Sequence, residues 1–273
     1  MKIIVCIKQV PDTNEVRINK ETGTLIRQGV PSIINPDDMN AVEQALKIKD
    51  TRDDVQVTIL CMGPPQADVA VREAYAMGAD EAILLSDRVF AGSDTWATAT
   101  ILAAAVKKIA DYDIIFCGRQ AIDGDTAQVG PEMAEFLGLP QVTYVQQLTI
   151  SEDGSSVTVE RATEDGHMVI EAPTPVLLTA IKELNEPRYP RMRGIYEAYE
   201  SGDHIKFWTN ADIDVDLTQI GVRNSPTNVK KSFVPDKSRT SVEITGTPVE
   251  IAGKLIHEIS NMDSVMIIGR DAT

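Results

Sequence analysis

Short, unbroken apolar runs alternate with segments of helical period along the first half of the chain. Lys2-Ile-Ile-Val-Cys-Ile-Lys8, Val55-Gln-Val-Thr-Ile-Leu-Cys61, Ala82-Ile-Leu-Leu85 and Ile114-Ile-Phe-Cys117 are too short for helices and suit strands covered on both faces. Between them, Met39, Val42, Ala45, Leu46 and Ile48 mostly fit one helical face, and Asp37 and Asp38 stand at its start, where the helix dipole favours negative charge. Further helices are predicted from Gln66 to Met77, closed by Gly78-Ala-Asp80, and from Thr95 to Ala110. Strands and helices in alternation predict an α/β fold with a doubly wound, mostly parallel sheet.

Beyond Pro140 the rhythm changes. Val142–Val145, Ser156–Arg161, Met168–Ile170 and Val176–Thr179 read as strands separated by tight turns such as Glu152-Asp-Gly154 and Glu164-Asp-Gly166, and predict an antiparallel extension of the sheet. Glu21-Thr-Gly23 reads as an earlier hairpin turn. Leu184 to Gly194 holds two prolines and three arginines and reads as an exposed loop, with Ile195 to Tyr199 a helical turn. Residues 203–245 read as an extended arm. A last helix from Pro248 to Asn261 sets Ala252, Leu255, Ile256 and Ile259 on one stripe, which needs an apolar surface on a partner subunit or on the chain's own core. The expected division is an α/β domain over 1–190, then a loop end, arm and helix over 191–273.

The segment from Tyr112 to Pro131 carries the most chemistry. Its apolar run stops at Gly118; the chain then takes three glycines, two aspartates and a threonine to Gly130 before Pro131 opens a helix ending at Leu137-Gly138. In an open α/β sheet, ligands sit outside the carboxyl ends of the strands, and amide-rich loops before helix N-termini suit phosphate. The loop is therefore a candidate nucleotide cradle. The same residues would also make a plain surface turn capped by Thr126 or Gly130, and neither a Walker lysine motif nor G-x-G-x-x-G is present.

A net charge of −15 argues against a polyanion partner, since neutralising phosphates would need clustered Lys and Arg that are not apparent; nucleic acid and anionic membrane surfaces are not expected. No apolar run approaches the roughly 18 residues that span a bilayer, and Ile3 to Ile7 is too short for a signal segment, so a cytoplasmic location is expected. Cys6, Cys61 and Cys117 lack zinc or redox spacing and read as small core hydrophobes at strand ends. His167, His204 and His257 are scattered, so neither a metal site nor a Ser-His-Asp constellation is predicted.

Taken together, Gly118-Arg-Gln-Ala-Ile-Asp-Gly-Asp125, Asn35-Pro36 and Asn185-Glu-Pro-Arg-Tyr189 resemble the small (beta) subunit of electron-transferring flavoproteins. The match runs in order from Met1 to about Met192; the arm and last helix follow it less strictly. The resemblance implies an adenine-nucleotide-binding, Rossmann-like fold and a heterodimer, in which an alpha subunit carries an exchangeable FAD on a mobile domain. It also implies that the beta subunit holds either a structural AMP or, in the electron-bifurcating branch, a second FAD that accepts hydride from NADH. Carried over residue by residue, the implied nucleotide contacts are Cys6; Asn35, Pro36, Asp37 and Asp38; Met62; Ile114; and Gly118, Arg119, Gln120, Ala121, Ile122, Asp123, Gly124, Asp125, Thr126, Ala127, Gln128 and Val129.

Gly92-Ser-Asp-Thr-Trp-Ala-Thr98 looks like the bifurcating branch, where a helix N-terminus meets the FAD diphosphate. Thr95 and Thr98 are then the implied phosphate contacts, with Asp94 or Ser93 as cap, although the stretch also suits a simple capped helix. Gly124 and Ala127, where the AMP-type branch tends to have larger polar residues, agree with room for a diphosphate. The implied docking loop for a partner dehydrogenase spans about Ala180 to Gly202, with Asn185, Glu186, Pro187, Arg188 and Tyr189 from the family motif. Met192 stands at the anchor position, flanked by Arg188, Arg191 and Arg193, a thioether within an electrostatic rim. Pro190 and Arg191 depart from the family's loop.

The expected function is a beta subunit that binds FAD. It would pass electrons from NADH to an acyl-CoA dehydrogenase-type flavoenzyme and to a low-potential acceptor, ferredoxin or flavodoxin. The alternatives are a conventional beta subunit holding structural AMP and a stand-alone adenine-nucleotide sensor.

Overall fold

The computed structural model describes residues 1–12, 17–18, 25–26, 31–200, 204–230 and 243–260. The chain divides into two compact units, Met1–Ser232 and Phe233–Thr273. In the first, β1 (Lys2–Ile7), α1 (Pro36–Thr51), β6 (Gln56–Met62), α2 (Asp68–Ala76), β7 (Glu81–Leu85), α3 (Thr95–Ile109), β8 (Ile114–Gly118) and α4 (Val129–Leu137) alternate as the apolar runs require. Two small antiparallel pairs, β2 (Gln9–Pro11) with β5 (Ser32–Ile34) and β3 (Arg17–Ile18) with β4 (Leu25–Ile26), lie between β1 and α1 in sequence. The hairpin turn expected at Glu21-Thr-Gly23 lies outside the described residues.

Among the described residues the main sheet has nine strands in the order β11 (Gly166–Pro173), β10 (Ser156–Thr163), β9 (Gln141–Ile150), β12 (Val176–Ala180), β8, β1, β6, β7 and β13 (Ile205–Trp208). Side chains of β1 alternate between its two faces: Ile3, Val5 and Ile7 pack with α1 and α2, whereas Ile4 and Cys6 pack with α3 and α4. The sheet is therefore covered on both sides, and its central strands are apolar throughout for that reason.

Three expectations change. First, β9 (Gln141–Ile150) and β12 (Val176–Ala180) pair with each other in parallel, and β12 pairs in parallel with β8. Only β10 (Ser156–Thr163) and β11 (Gly166–Pro173) extend the sheet as an antiparallel meander from β9. The fully buried run Val176–Ala180 belongs to the core because it inserts between β8 and β9, a pairing that sequence order does not announce. Second, the loop expected from Leu184 to Gly194 ends early: α5 (Met192–Glu200) starts at Met192 and packs on α2, with Arg72 donating to the Ala198 carbonyl and lying 5.2 Å from the Tyr199 ring centroid. Third, residues 204–230 are not an extended arm. β13 (Ile205–Trp208) pairs in parallel with β7, and Ile213 and Ile220 are buried in the core on the α3 side.

In the second unit, α6 (Pro248–Ser260) is capped by Glu250, whose carboxylate accepts from Thr247 N–H at 2.8 Å, and Leu255, Ile256 and Ile259 are exposed. Asn261, the expected helix end, lies outside the described residues. Among the described residues no helix is long and apolar enough to cross a membrane.

Candidate nucleotide site

From β1 the chain winds through β6 to β7 on one side, then crosses back by α3 to place β8 on the other side of β1. Helices following β1 and β8 thus leave on opposite faces, so the carboxyl ends of these two strands form a topological switch point, the position where open α/β sheets bind ligands. Lys8 directly follows β1, and Gly118 ends β8. Asp38, on the first turn of α1, ties them together: its Oδ2 accepts from Lys8 N–H at 2.7 Å and its Oδ1 from Gly118 N–H at 2.9 Å. Gly118 must be glycine here, since a Cβ would stand 2.2 Å from Asp38 Oδ1 and 2.8 Å from Asp38 N.

Asp38 is buried, and loss of solvent pushes its carboxyl up to about 7 against the lowering effect of the Asn35 side chain and the two N–H groups. Asp37, beside it, is also raised by burial, with the Arg119 guanidinium opposing. Arg119 Nε lies 3.4 Å from Asp37 Oδ2, close enough for ion pairing but without hydrogen-bond alignment, and both atoms are buried with no hydrogen-bond partner. The guanidinium sits 5.7 Å from the Tyr144 ring centroid.

Asn35 holds the glycine loop from below. Wholly buried, it donates from Nδ2 to the Gln120 carbonyl at 2.8 Å and accepts at Oδ1 from Ile122 N–H at 3.0 Å. From there the loop turns on the Ala121 carbonyl, which accepts from Gly124 and Asp125 N–H, and passes through positive φ at Asp125 (50°) and Ala127 (53°). Backbones of alternating hand turn successive N–H groups toward one side, the construction of anion-binding concavities. The loop feeds α4, whose N-cap residue Gln128 makes no side-chain capping bond. The first-turn amides of α4 are thus left to a ligand or to water.

The N-terminus of α3 meets that of α4. Thr95 Oγ1 donates to Gln128 Oε1 at 3.0 Å and lies 3.3 Å from Glu132 Oε1. Burial raises the Glu132 carboxyl, opposed by the Thr95 hydroxyl, and Glu132 Oε2 is buried without a partner. Asp94 caps its own helix, accepting from Ala97 N–H at 3.0 Å, and its other oxygen accepts from Thr227 N–H and Oγ1, each at 2.8 Å. Burial alone would raise the Asp94 carboxyl; these donors together bring it below its ordinary value.

The structure therefore brings Asn35 to Asp38, Asp94, Thr95 and Gly118 to Val129 to one edge of the sheet, with Met62 at the carboxyl end of β6 and Thr98 half-buried one turn into α3. Cys6 is buried beside Cys117 on the α3 face; hydrogen bonding to that thiol and burial push the Cys6 thiol up. Ile114 is not brought to this edge. It starts β8 opposite Ile3 and is wholly buried, about 13 Å of strand from Gly118 at some 3.3 Å per residue.

Sequence reasoning missed several residues. Lys8 Nζ pairs with Asp123 Oδ1 at 2.6 Å, and its place just past a strand end was a usable signal. Ser225, which accepts from Asp94 N–H at 2.9 Å, and Thr227 come from a segment whose polar composition hides any tertiary role.

In the expected docking segment, Tyr189 and Met192 are 92% and 83% exposed, whereas Glu186, Arg191 and Arg193 are exposed polar neighbours. Pro187 is half-buried. Asn185 and Arg188 face inward on α1. A concavity of about 510 Å³ lies elsewhere, between α1 and β9, lined by Gln44, Ile48, Arg52 and Leu148 among others; the switch point and its donors, not cavity size, mark the candidate site.

An electron transfer flavoprotein domain matches residues 22–201. The chain is 55% identical to the electron transfer flavoprotein subunit beta of Thermoanaerobacterium thermosaccharolyticum, over 96% of this chain and 98% of that one. It is 53% identical to the caffeyl-CoA reductase-Etf complex subunit CarD of Acetobacterium woodii, over 95% and 98% of the two chains. Identity to the acryloyl-CoA reductase electron transfer subunit gamma of Anaerotignum propionicum is 48%, again over 95% and 98%. With a doubly wound α/β sheet and relatives that match along nearly its whole length, this chain belongs to the electron transfer flavoprotein family, among its beta subunits.

Proposed function

We propose that the chain binds FAD at the β1/β8 switch point and works, paired with an alpha subunit that carries a second FAD, as a cytoplasmic bifurcating electron carrier. Electrons would enter from NADH and leave to an acyl-CoA dehydrogenase-type flavoenzyme and to ferredoxin or flavodoxin. The observation that carries this reading is the meeting of two helix N-termini at the switch point. Thr95 at the start of α3 touches Gln128 at the start of α4, and the α4 amides lack a side-chain cap. Two positive helix ends beside an amide-rich loop suit a diphosphate. Asp94 spends its oxygens on Ala97 N–H and on Thr227 N–H and Oγ1, within its own helix start and the returning segment. A flavin bound there supplies the hydride and electron chemistry; this chain's residues hold and orient it. Relatives named for caffeyl-CoA and acryloyl-CoA reductase complexes support an acyl-CoA-type partner. The exposed Met192 and Tyr189 suit its docking.

A second reading, structural AMP, draws support from the same place. The Thr95 hydroxyl is already engaged by Gln128 and Glu132, and the Glu132 carboxylate stands where a second phosphate would meet repulsion. The visible spectrum and flavin content of the purified heterodimer decide between them: about two flavins per dimer supports FAD here, and about one with bound AMP overturns it. A chain stable and monomeric without any alpha subunit would favour a stand-alone sensor.

A further inference from the structure

Helix α1 buries polar residues along one stripe. Asn40, Glu43 and Gln44 are 4%, 5% and 8% exposed, positions that a purely apolar core would fill with aliphatic side chains. All three are spent on one target, the segment 185–188. Asn40 Nδ2 donates to the Asn185 carbonyl at 2.7 Å, and Asn185 Nδ2 returns bonds to the Asn40 carbonyl at 3.0 Å and Gln44 Oε1 at 3.2 Å. Glu43 accepts from Arg188 at three points: its backbone N–H at 3.1 Å, Nε at 2.8 Å and Nη2 at 3.0 Å. Asp50, at the exposed end of the stripe, takes Arg188 Nη2 at 2.6 Å. A bidentate guanidinium–carboxylate pair fixes direction as well as distance. Arg188 is therefore anchored inward, and the residue after it, Tyr189, is turned out to solvent together with Met192 at the start of α5.

We infer that Glu43, with Asn40 and Gln44, is a positioning residue for docking: the buried polar stripe of α1 holds segment 185–188 in one conformation, so that Tyr189 and Met192 form a pre-organised surface for the partner flavoenzyme. This rests on the docking role proposed above for Met192. Pre-organisation lowers the ordering cost of association, so its loss weakens encounter affinity without changing chemistry in the formed complex. It also changes what Asn185 and Arg188 do: they face α1 and shape the loop, and the contact surface begins at Tyr189.

The test uses the purified heterodimer with an acyl-CoA dehydrogenase that accepts electrons from the wild type. Glu43→Gln keeps the size and removes the charge. It is expected to raise the KM for the dehydrogenase about tenfold with kcat little changed, to leave flavin content as in the wild type, and to speed tryptic cleavage after Arg188. Arg188→Lys, which keeps the charge but not the fork, should fall between. Met192→Ala serves as the docking reference. If Met192→Ala raises KM while Glu43→Gln and Arg188→Lys change neither KM nor cleavage, the positioning inference is overturned and the docking role stands. Should Met192→Ala leave KM unchanged while loop cleavage still accelerates in Glu43→Gln, the loop is held by α1 but is not the docking surface, and the inference fails with that reading. A fall in kcat and flavin content together would mark a purely structural role and overturn it too.

Discussion

Asn35 and Gln120 stand 85 residues apart in the chain and are joined by a 2.8 Å hydrogen bond from the Asn35 amide to the Gln120 carbonyl. With the return bond from Ile122 N–H, this one side chain fixes where the glycine loop leaves β8. Replacing Asn35 with alanine would take this partner from a half-buried carbonyl and a half-buried N–H, a cost of about 1–3 kcal/mol. The expected outcome is a lower thermal midpoint and loss of bound nucleotide from the purified protein. Calorimetry with nucleotide extraction checks both. Retention of nucleotide at unchanged stoichiometry would show that the loop holds its shape without this bond.

Asp38 predicts a pH dependence. Its folded pKa, about 7, lies above the ordinary value of 3.8, so the folded state binds more protons than the unfolded state between these limits. The stability associated with the protonated form is therefore present below pH 3.8 and is lost as pH rises through about 7. The difference corresponds to about 4 kcal/mol at most. Asp37, raised by burial as well, acts in the same direction. Urea midpoints from pH 5 to 8 should fall with rising pH for the wild type, and Asp38→Asn should flatten that slope. An equally steep slope in the variant would assign the titration to another group.

Gly118 and Gly124 share one loop yet should respond oppositely to alanine. At Gly118 the new Cβ meets Asp38 and the Asp37 carbonyl carbon at 2.9 Å or less, two of the three contacts being backbone that cannot yield, so the cost should be about 2 kcal/mol or more. At Gly124 nothing lies within 4 Å, and alanine should be neutral or stabilise by up to about 1 kcal/mol through the unfolded chain. Paired thermal melts check the contrast; a Gly124→Ala variant as unstable as Gly118→Ala would mean that the loop tip is packed.

The sequence makes the strands around the switch point readable because strands buried on both faces must be apolar without interruption, as Ile3–Ile7 and Ile114–Cys117 are. It also marks the candidate cradle, since glycines, aspartates and a helix start cluster in few residues, whereas the positive φ of that loop falls on Asp125 and Ala127, which no glycine announces. What it hides is pairing between distant segments. Val176–Ala180 looks the same whether it edges a meander or enters the core, and Tyr144, at positive φ where the β9–β12 register shifts, carries no glycine to mark the irregularity. The polar stripe of α1 is hidden for a different reason: nothing in the types of Asn40, Glu43 and Gln44 marks them as buried until the segment that satisfies them is in place. Ile213 and Ile220 sat among polar neighbours, and only tertiary packing reveals them as core.

Asp94 ties the start of α3 to the returning segment 225–227, and this gives a prediction independent of any cofactor. Its two oxygens serve Ala97 N–H on one side and Thr227 N–H and Oγ1 on the other, while its own N–H donates to Ser225 Oγ. Asp94→Ala should cost about 1–2 kcal/mol as a lost helix cap and should speed amide exchange at both Ala97 and Thr227. Asp94→Asn, which keeps one acceptor oxygen, should protect one of these amides and not both. Because the carboxyl lies below its ordinary value, the contribution is present above pH 3.8 and disappears as pH falls through the lower folded value, the reverse of Asp38. Amide exchange at pH 7 on the wild type and both variants checks this, and unchanged protection at Thr227 in Asp94→Ala would show that segment 225–227 is held by the bonds of Ser225 to Gly221 and of Gly221 to Ser93 instead.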